Sequence, residues 1–343
     1  MMTSPFRPPR WFASPHLQTI GAAAPVFAPQ TLPTVARDEE LRIPLGTGAG
    51  HALHARAWWL EGVAPTALVL HGIAGSKDSH CCVRSAVALH RAGYHVVRID
   101  MPGAGASVAS APSLYHAGLT SDLDLAVRHL LEDTRVDGLV ILGFSGGGSQ
   151  VLKLAGAWGA DAPEGVRAVA TVSSPLDYMR VAARMDTLPC LPYRFHLLRG
   201  LLERARAFAL LHPDRASYRL EDLEGIKRFR QYDGRIIAPM HGFSDVDAYY
   251  WAASAGRWLD TVRLPTLILH AEDDPMVTID GVRPWLERAS PAVKVAISAR
   301  GGHLGWLGGL TESSWIKGWA TSEALGFFAT HAPPVFVRAA AQG

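Results

Sequence analysis

The stretch LVILGFSGGGSQ, residues 139–150, constrains this chain more than any other. Leu139 to Leu142 are apolar and read as a buried strand, whereas the residues from Ser149 onward carry apolar side chains at helical spacing. Ser145 therefore falls where a strand becomes a helix, with almost no chain left for the turn. Gly143 and Gly147 flank it at the G-x-S-x-G spacing, which leaves room for a sharp backbone that lifts a side-chain hydroxyl above the end of a sheet. A serine presented in this way is a candidate nucleophile, and the rest of the chain must then supply its partners.

The surrounding pattern fits such a sheet. Short β-rich runs occur at 66–72, 95–103, 139–145, 166–175, 265–275 and 293–303, and helical segments such as HCCVRSAVALHRAG and TSDLDLAVRHLLEDT separate several of them. The first of these segments ends at a glycine C-cap, and the second opens with cap-forming residues. Strands alternating with helices predict a mostly parallel, doubly wound α/β sheet. Residues 40–60 hold two partly alternating runs around a Gly-rich turn, which predicts an antiparallel hairpin at the sheet's edge. From 175 to 255 the β–α rhythm is lost. This segment is expected to be an inserted cap, including an amphipathic helix over 194–212 whose apolar face, Leu201 and Leu202 among it, lines or covers the site. The expected organisation is an extension at 1–35 packed on the core, a core in two parts at 36–174 and 256–343, and the cap between them.

Composition narrows the chemistry. The 343 residues are 48% hydrophobic and carry a formal net charge of only +2, with Lys and Arg scattered, so no nucleic-acid partner is expected. Three cysteines, Cys81, Cys82 and Cys190, lack metal-binding or disulfide spacing and suit a reducing cytoplasm. The N-terminal IGAAAPVFA is short, poor in leucine and interrupted by Pro25, so it does not read as a signal peptide, and no run approaches the roughly 18 apolar residues of a membrane span. GIAGSKDS lacks the glycine-to-lysine spacing of a phosphate loop, and PGAGASVA lacks the third glycine of a dinucleotide fingerprint. The fifteen histidines include no H-E-x-x-H, so neither a metal nor a cofactor is expected.

Partners for Ser145 lie where a parallel sheet gathers function, beyond the carboxyl ends of its strands. HAEDDPMV offers Asp273 and Asp274, and GGHLGW offers His303, giving the chain order Ser, Asp, His. A neutral His303 would take the serine proton and return it to a leaving alcohol, while a carboxylate fixes the imidazole tautomer. Neighbouring side chains of extended backbone point to opposite sides, so only one of the two aspartates should face His303; Pro275 biases Asp274 toward a defined exit from the sheet. The oxyanion formed on attack needs backbone N–H donors, which Gly146 and, from HGIAGS, Ile73 would supply.

HLQT (16–19), HGIAGS (71–76), YHAGLTSDL (115–123), GFSGGG (143–148), IIAPMHGFSDVDAYYWAAS (236–254), AEDDPMV (271–277) and GGHLGW (301–306) together resemble the α/β-hydrolases of the YheT-like branch, which includes ester synthase/esterases and acylglycerol and phospholipid hydrolases. The resemblance covers nearly the whole chain, and the stretch around HGF and DAYY is its most specific part. It implies an α/β-hydrolase fold and Ser145, Asp274 and His303 as the triad. DMPGAGAS departs from relatives that often carry Arg-Gly there. For HLQT and YHAG, packing and loop-building roles are expected. The function expected is hydrolysis of short- to medium-chain acyl esters through an acyl-enzyme, the small-molecule ester being the main partner and a transient lipid-surface contact through the cap a second one. Transfer of the acyl group to an alcohol is the alternative, and a non-catalytic binding protein on the same fold the weaker one. Oligomeric state is not legible.

Overall fold

The computed structural model describes residues 6–24, 33–48, 50–308 and 312–335, and of 312–317 the backbone only. The apolar runs become strands of one eight-stranded sheet: β1 Arg37–Pro44, β2 Ala52–Trp59, β3 Ala64–Leu70, β4 His95–Ile99, β5 Val136–Phe144, β6 Val166–Val172, β7 Thr266–Ala271 and β8 Val293–Ser298, in the order β1-β2-β4-β3-β5-β6-β7-β8. The hairpin β1–β2 is antiparallel, as is the β2–β4 pairing, and every later pairing is parallel. Continuous apolar runs in the middle of the sheet follow from burial on both faces: β3 is buried at all seven positions. Its side chains alternate between two cores, Leu68 and Leu70 on one face and Ala67 and Val69 on the other.

Helices cover both faces. On the Leu68 side lie α3 (Ser121–Leu131) and α4 (Gly146–Trp158), through Leu123, Val127, Val151 and Leu154. On the other side α2 (His80–Ala92) packs with α11 (Glu312–His331, broken at Gly318) through Val87, Leu89, Ala324 and Phe328. The expected glycine cap of α2 is Gly93, left-handed at φ 103°, with Gly93 N–H donating to His90 O and Tyr94 N–H to Leu89 O. Thr120 precedes α3 but its side chain makes no capping bond; Asp122 and Asp124 in the first turn supply the favourable charge instead.

The predicted strands overshoot. Runs read as 95–103, 265–275 and 293–303 end in the structure at Ile99, Ala271 and Ser298. The surplus residues leave the sheet at its carboxyl edge, and they are the ones rich in Gly, Asp and His.

Between β6 and β7 the chain forms α5 (Tyr178–Met185), α6 (Leu191–Leu211), α7 (Phe229–Tyr232), a π-helical turn (Asp233–Ile237), α8 (Ala238–Met240) and α9 (Val246–Ala253). Their buried side chains make a separate core that also takes in Leu114, Ala117 and Met276 from the sheet's loops. In α6, Leu198, Leu201, Ala205 and Phe208 are buried as expected of an amphipathic helix. Its arginines do not all face water: Arg204 donates to Ala74 O and Gly75 O at 2.7 and 2.6 Å. Further on, α10 spans Ile279–Leu286. Near the N-terminus α1 spans Pro15–Gly21; of the expected 1–35 extension, 1–5 and 25–32 lie outside the described residues, including all of the PVFA end of the apolar window.

Candidate active site

Ser145 begins where β5 ends. It takes φ 49°, ψ −121°, a conformation rare for a residue with a Cβ, and α4 starts at the next residue. Such a backbone costs on the order of 1–3 kcal/mol and persists only where its surroundings enforce it. Here they do. A Cβ on Gly147 would lie 2.2 Å from His71 O, and one on Gly143 2.6 Å from Gly148 Cα, so the turn closes only with hydrogen at both positions. Ser145 N–H donates to Val172 O at 2.8 Å, which ties the turn to β6.

His303 reaches the serine from the loop after β8. Its Nε2 lies 3.0 Å from Ser145 Oγ, and its Nδ1 lies 2.9 Å from Asp274 Oδ2. All three side chains are buried, at 7%, 6% and 3% exposure for Ser145, His303 and Asp274. Burial alone would raise the Asp274 carboxyl, but the His303 charge and hydrogen bond, with lesser help from His270 and Val277 N–H, outweigh it and hold the group below the ordinary aspartate value. Asp274 Oδ1 accepts from Met276 and Val277 N–H, both at 2.9 Å, so the turn through Pro275 locks the carboxylate with its other oxygen toward the imidazole. Asp273 points elsewhere and accepts from Gly302 N–H at 2.9 Å.

Ile73 and Gly146 come together beside the serine: Ile73 N lies 3.4 Å from where a Gly146 Cβ would stand. Neither backbone N–H donates to a protein acceptor among the described residues. An imidazole positioned to take the serine proton, next to two unused donors, can support nucleophilic attack on a carbonyl and hold the resulting negative charge.

The chemistry-bearing loops are held by residues that motif reasoning did not assign. His71 donates from Nδ1 to Gly72 O at 2.7 Å and accepts at Nε2 from Met101 N–H at 3.2 Å; burial pushes its pKa down to about 4, so it stays neutral and keeps that tautomer. Tyr115 Oη accepts from Ala74 N–H, and His241 bonds Leu114 O while Tyr249 Oη accepts from Ala117 N–H, so YHAG and the HGF–DAYY stretch knit the Ile73 loop to the helices above it. On the other side HLQT secures the histidine loop: Thr19 Oγ1 accepts from His303 N–H at 2.9 Å, and Gln18, fully buried, bonds Leu307 through both its N–H and its C=O. The signal for both was present in the quoted resemblance, which marks the segments without telling what they touch.

Ser145, Ile73 and His303 sit between two spaces. One, about 560 Å³, is mostly apolar and runs under the helices past Val181, Met185, Phe229 and Met276. The other, about 1270 Å³, is a wider cleft bounded by Thr19, Ser79, His80, Tyr193 and His196. From α6, Leu197 lines both, and Leu201 lines a smaller adjoining cavity of about 360 Å³; Leu202 lines none of them and packs into the helical core.

A family model described as alpha/beta hydrolase fold matches residues 65–310. The Escherichia coli (strain K12) protein YheT, which carries a provisional esterase designation, is 28% identical over 91% of this chain and 90% of its own length. A monoacylglycerol lipase of Saccharomyces cerevisiae is 26% identical over 73% of this chain, which spans 57% of the yeast protein. Among solved structures, a Pyrococcus furiosus esterase covers 89% of this chain and 97% of its own with a TM-score of 0.56; at 15% identity that likeness concerns the fold.

Proposed function

This chain belongs to the alpha/beta hydrolase fold family, and we propose that within it the protein is a serine hydrolase of carboxylic esters working through an acyl-enzyme. The observation that carries this reading is the unbroken run of hydrogen bonds from Ser145 Oγ through His303 to Asp274, with the Ile73 and Gly146 N–H groups uncommitted beside it. The esterase and lipase names of its relatives support the same class.

In this reading His303 Nε2 takes the Ser145 proton as Oγ attacks the ester carbonyl. Asp274 stabilises the imidazolium, and Ile73 and Gly146 N–H donate to the oxyanion, each such donor being worth about 10²–10³ in turnover. Collapse of the intermediate breaks the ester C–O bond, and His303 returns the proton to the departing alcohol. Water then loses a proton to His303 as it attacks the acyl carbon; the acyl–Oγ bond breaks, His303 returns the proton to Ser145 Oγ, and the acid leaves. The smaller, mostly apolar space suits a short or medium acyl chain, which must stay through the second half-reaction, and the wider cleft suits the alcohol, which must leave. Residues 175–255 act as a cap between core segments 36–174 and 256–343, and the 1–35 extension packs on the core through α1. Exposed Leu188 just before α6 and Leu191 and Phe195 at its start, with Ile20 of α1 beside the cleft, support contact with a lipid surface. Three free buried thiols support a cytoplasmic setting; no helix among the described residues is long and apolar enough to cross a membrane.

A fluorophosphonate should label Ser145, and Ser145→Ala should lose both labelling and the hydrolysis of p-nitrophenyl esters, by about 10⁴–10⁶ in turnover, while remaining folded. Substantial activity left in that variant would place the nucleophile elsewhere. The width of the outer cleft favours one second reading, transfer of the acyl group to an alcohol held there. New ester formed at the expense of acid when ethanol or glycerol is added would identify it.

A further inference from the structure

The apolar space under the helices contains two polar groups that the hydrolytic chemistry does not use. Asp233 and Tyr178 both line it, along with Ser145 and Gly146, and both are buried, at 7% and 8% exposure. Asp233 opens the π-helical turn, a rare geometry that is frequent at functional sites. Its one protein partner among the described residues is Tyr250, whose Oη donates to Oδ2 at 2.6 Å, and no Lys, Arg or His forms an ion pair with it. Burial pushes this carboxyl up to about 7, with the Tyr250 hydrogen bond acting the other way. Tyr178 Oη makes no hydrogen bond to the protein among the described residues, and the neighbouring Ser149 hydroxyl gives its own proton to Pro175 O at 2.7 Å. It lies 3.6 Å from where a Gly146 Cβ would stand, close to the reacting end of the space.

A saturated hydrocarbon chain filling this space would leave Asp233 Oδ1 and Tyr178 Oη buried without partners, and an unmade hydrogen bond at a buried polar group is unfavourable. Val181, Ala182, Met185 and Phe229 around them offer no compensation. One group on the chain could answer both. A hydroxyl donates one hydrogen bond, which Asp233 can accept, and accepts another, which the Tyr178 phenol can donate.

Building on the esterase reading, we infer that the acyl subsite is made for a hydroxyacyl ester, with Asp233 and Tyr178 as the residues that recognise the hydroxyl. Both act on specificity and neither takes part in bond making. Recognition of this kind discriminates strongly, because the analogue lacking the hydroxyl strands the site's own polar groups.

The test compares p-nitrophenyl esters of equal chain length, unsubstituted and carrying a hydroxyl at successive carbons, on the native enzyme. At one hydroxyl position kcat/KM should exceed that of the unsubstituted ester by about ten- to a hundredfold, an effect in the range of one or two buried hydrogen bonds. In Asp233→Leu that ratio should fall to about one, and in Tyr178→Phe it should drop severalfold. Tyr250→Phe, which removes the protein's own bond to Asp233, should keep the preference. Equal kcat/KM for all hydroxyl positions on the native enzyme overturns the inference, and this measurement stands even if Asp233→Leu does not fold. A higher kcat/KM for an ammonium-bearing ester than for any hydroxy ester overturns it as well. If Asp233→Leu and Tyr250→Phe lower activity on every ester by the same factor, the pair is a structural tie between α9 and the π turn and the inference falls. Labelling of Ser145 and turnover of the unsubstituted esters without any preference would sink this inference alone; absence of both labelling and turnover would sink the esterase reading beneath it.

Discussion

Ser145 and His303 share a hydrogen bond, yet the loops that carry them are built by different means. The serine turn is nearly self-contained: β5, two glycines that admit no Cβ and α4 are consecutive in the chain, and β6 beside it supplies the hydrogen bond to Ser145 N–H. The histidine loop has no helix to begin immediately after it. Its backbone passes through left-handed Gly302, Leu304 and Trp306, and it is fixed by side chains from far away: Thr19 on His303 N–H, Gln18 on Leu307 and Asp273 on Gly302 N–H. The general lesson is that a nucleophile can be placed by local sterics, whereas its base here depends on tertiary hydrogen bonds, and damage to the two should look different.

The largest effect on the histidine side should come from Asp274→Asn. An amide facing Nδ1 favours the wrong imidazole tautomer, so turnover at saturating ester should fall by about 10²–10⁴. Next comes acidification. Because Asp274 is held below its ordinary value, it remains a carboxylate from pH 8 to pH 5, so a fall in kcat/KM across that range would report on the base that takes the serine proton and not on the orienting carboxylate. A flat profile across that range in folded enzyme would argue against a histidine base. The lowered pKa of buried His71 adds a stability effect with the same sign. The unfolded chain binds its proton near pH 6.5 while the folded one resists until about 4, so the thermal midpoint should decline as pH drops through that interval.

Gln18→Ala sharpens the contrast most directly. It removes the bonds to Leu307 N–H and C=O and to Phe12 O, leaving buried backbone groups unmatched, so stability should fall by about 2–4 kcal/mol. A slackened histidine loop should also cost about ten- to a hundredfold in kcat with little change in KM, since a misplacement near 1 Å has consequences of that order. Full activity in Gln18→Ala would show that the loop holds itself, and the distinction between the two loops would collapse. The smallest effect is expected for Asp273→Asn, under about tenfold, because an amide oxygen can still accept from Gly302 N–H; a crippled Asp273→Asn with a mildly affected Asp274→Asn would reverse the assignment of the two aspartates.

The same contrast explains what could be read in advance. The parallel sheet, the edge hairpin and the serine turn were legible because each rests on neighbours in sequence: apolar runs separated by helices such as the one capped at Gly93, alternating burial along β1, and glycines on either side of Ser145. The choice between Asp273 and Asp274 was legible through Pro275 for the same reason, and the structure brings Asp274 to the imidazole. The strand ends were misjudged because β-prone residues continue past the last ladder bond, and only the neighbouring strand decides where pairing stops. Leu202 was expected on the cavity side of α6 and faces the helical core instead, since helical spacing gives a face but not what lies across from it.

By itself, then, the sequence determined the elements whose cause is local: which runs become strands, where the chain turns sharply, and which serine, acid and histidine leave the sheet at its carboxyl edge. The tertiary structure decided everything that depends on two distant segments meeting. Gln18 and Thr19 buttress a loop almost three hundred residues later, His71 and Tyr115 hold the Ile73 turn, and Asp233 and Tyr178 line one apolar space. Hydrogen bonds and cavities act over a few ångströms in space, and no periodicity along the chain records which residues folding will bring that close.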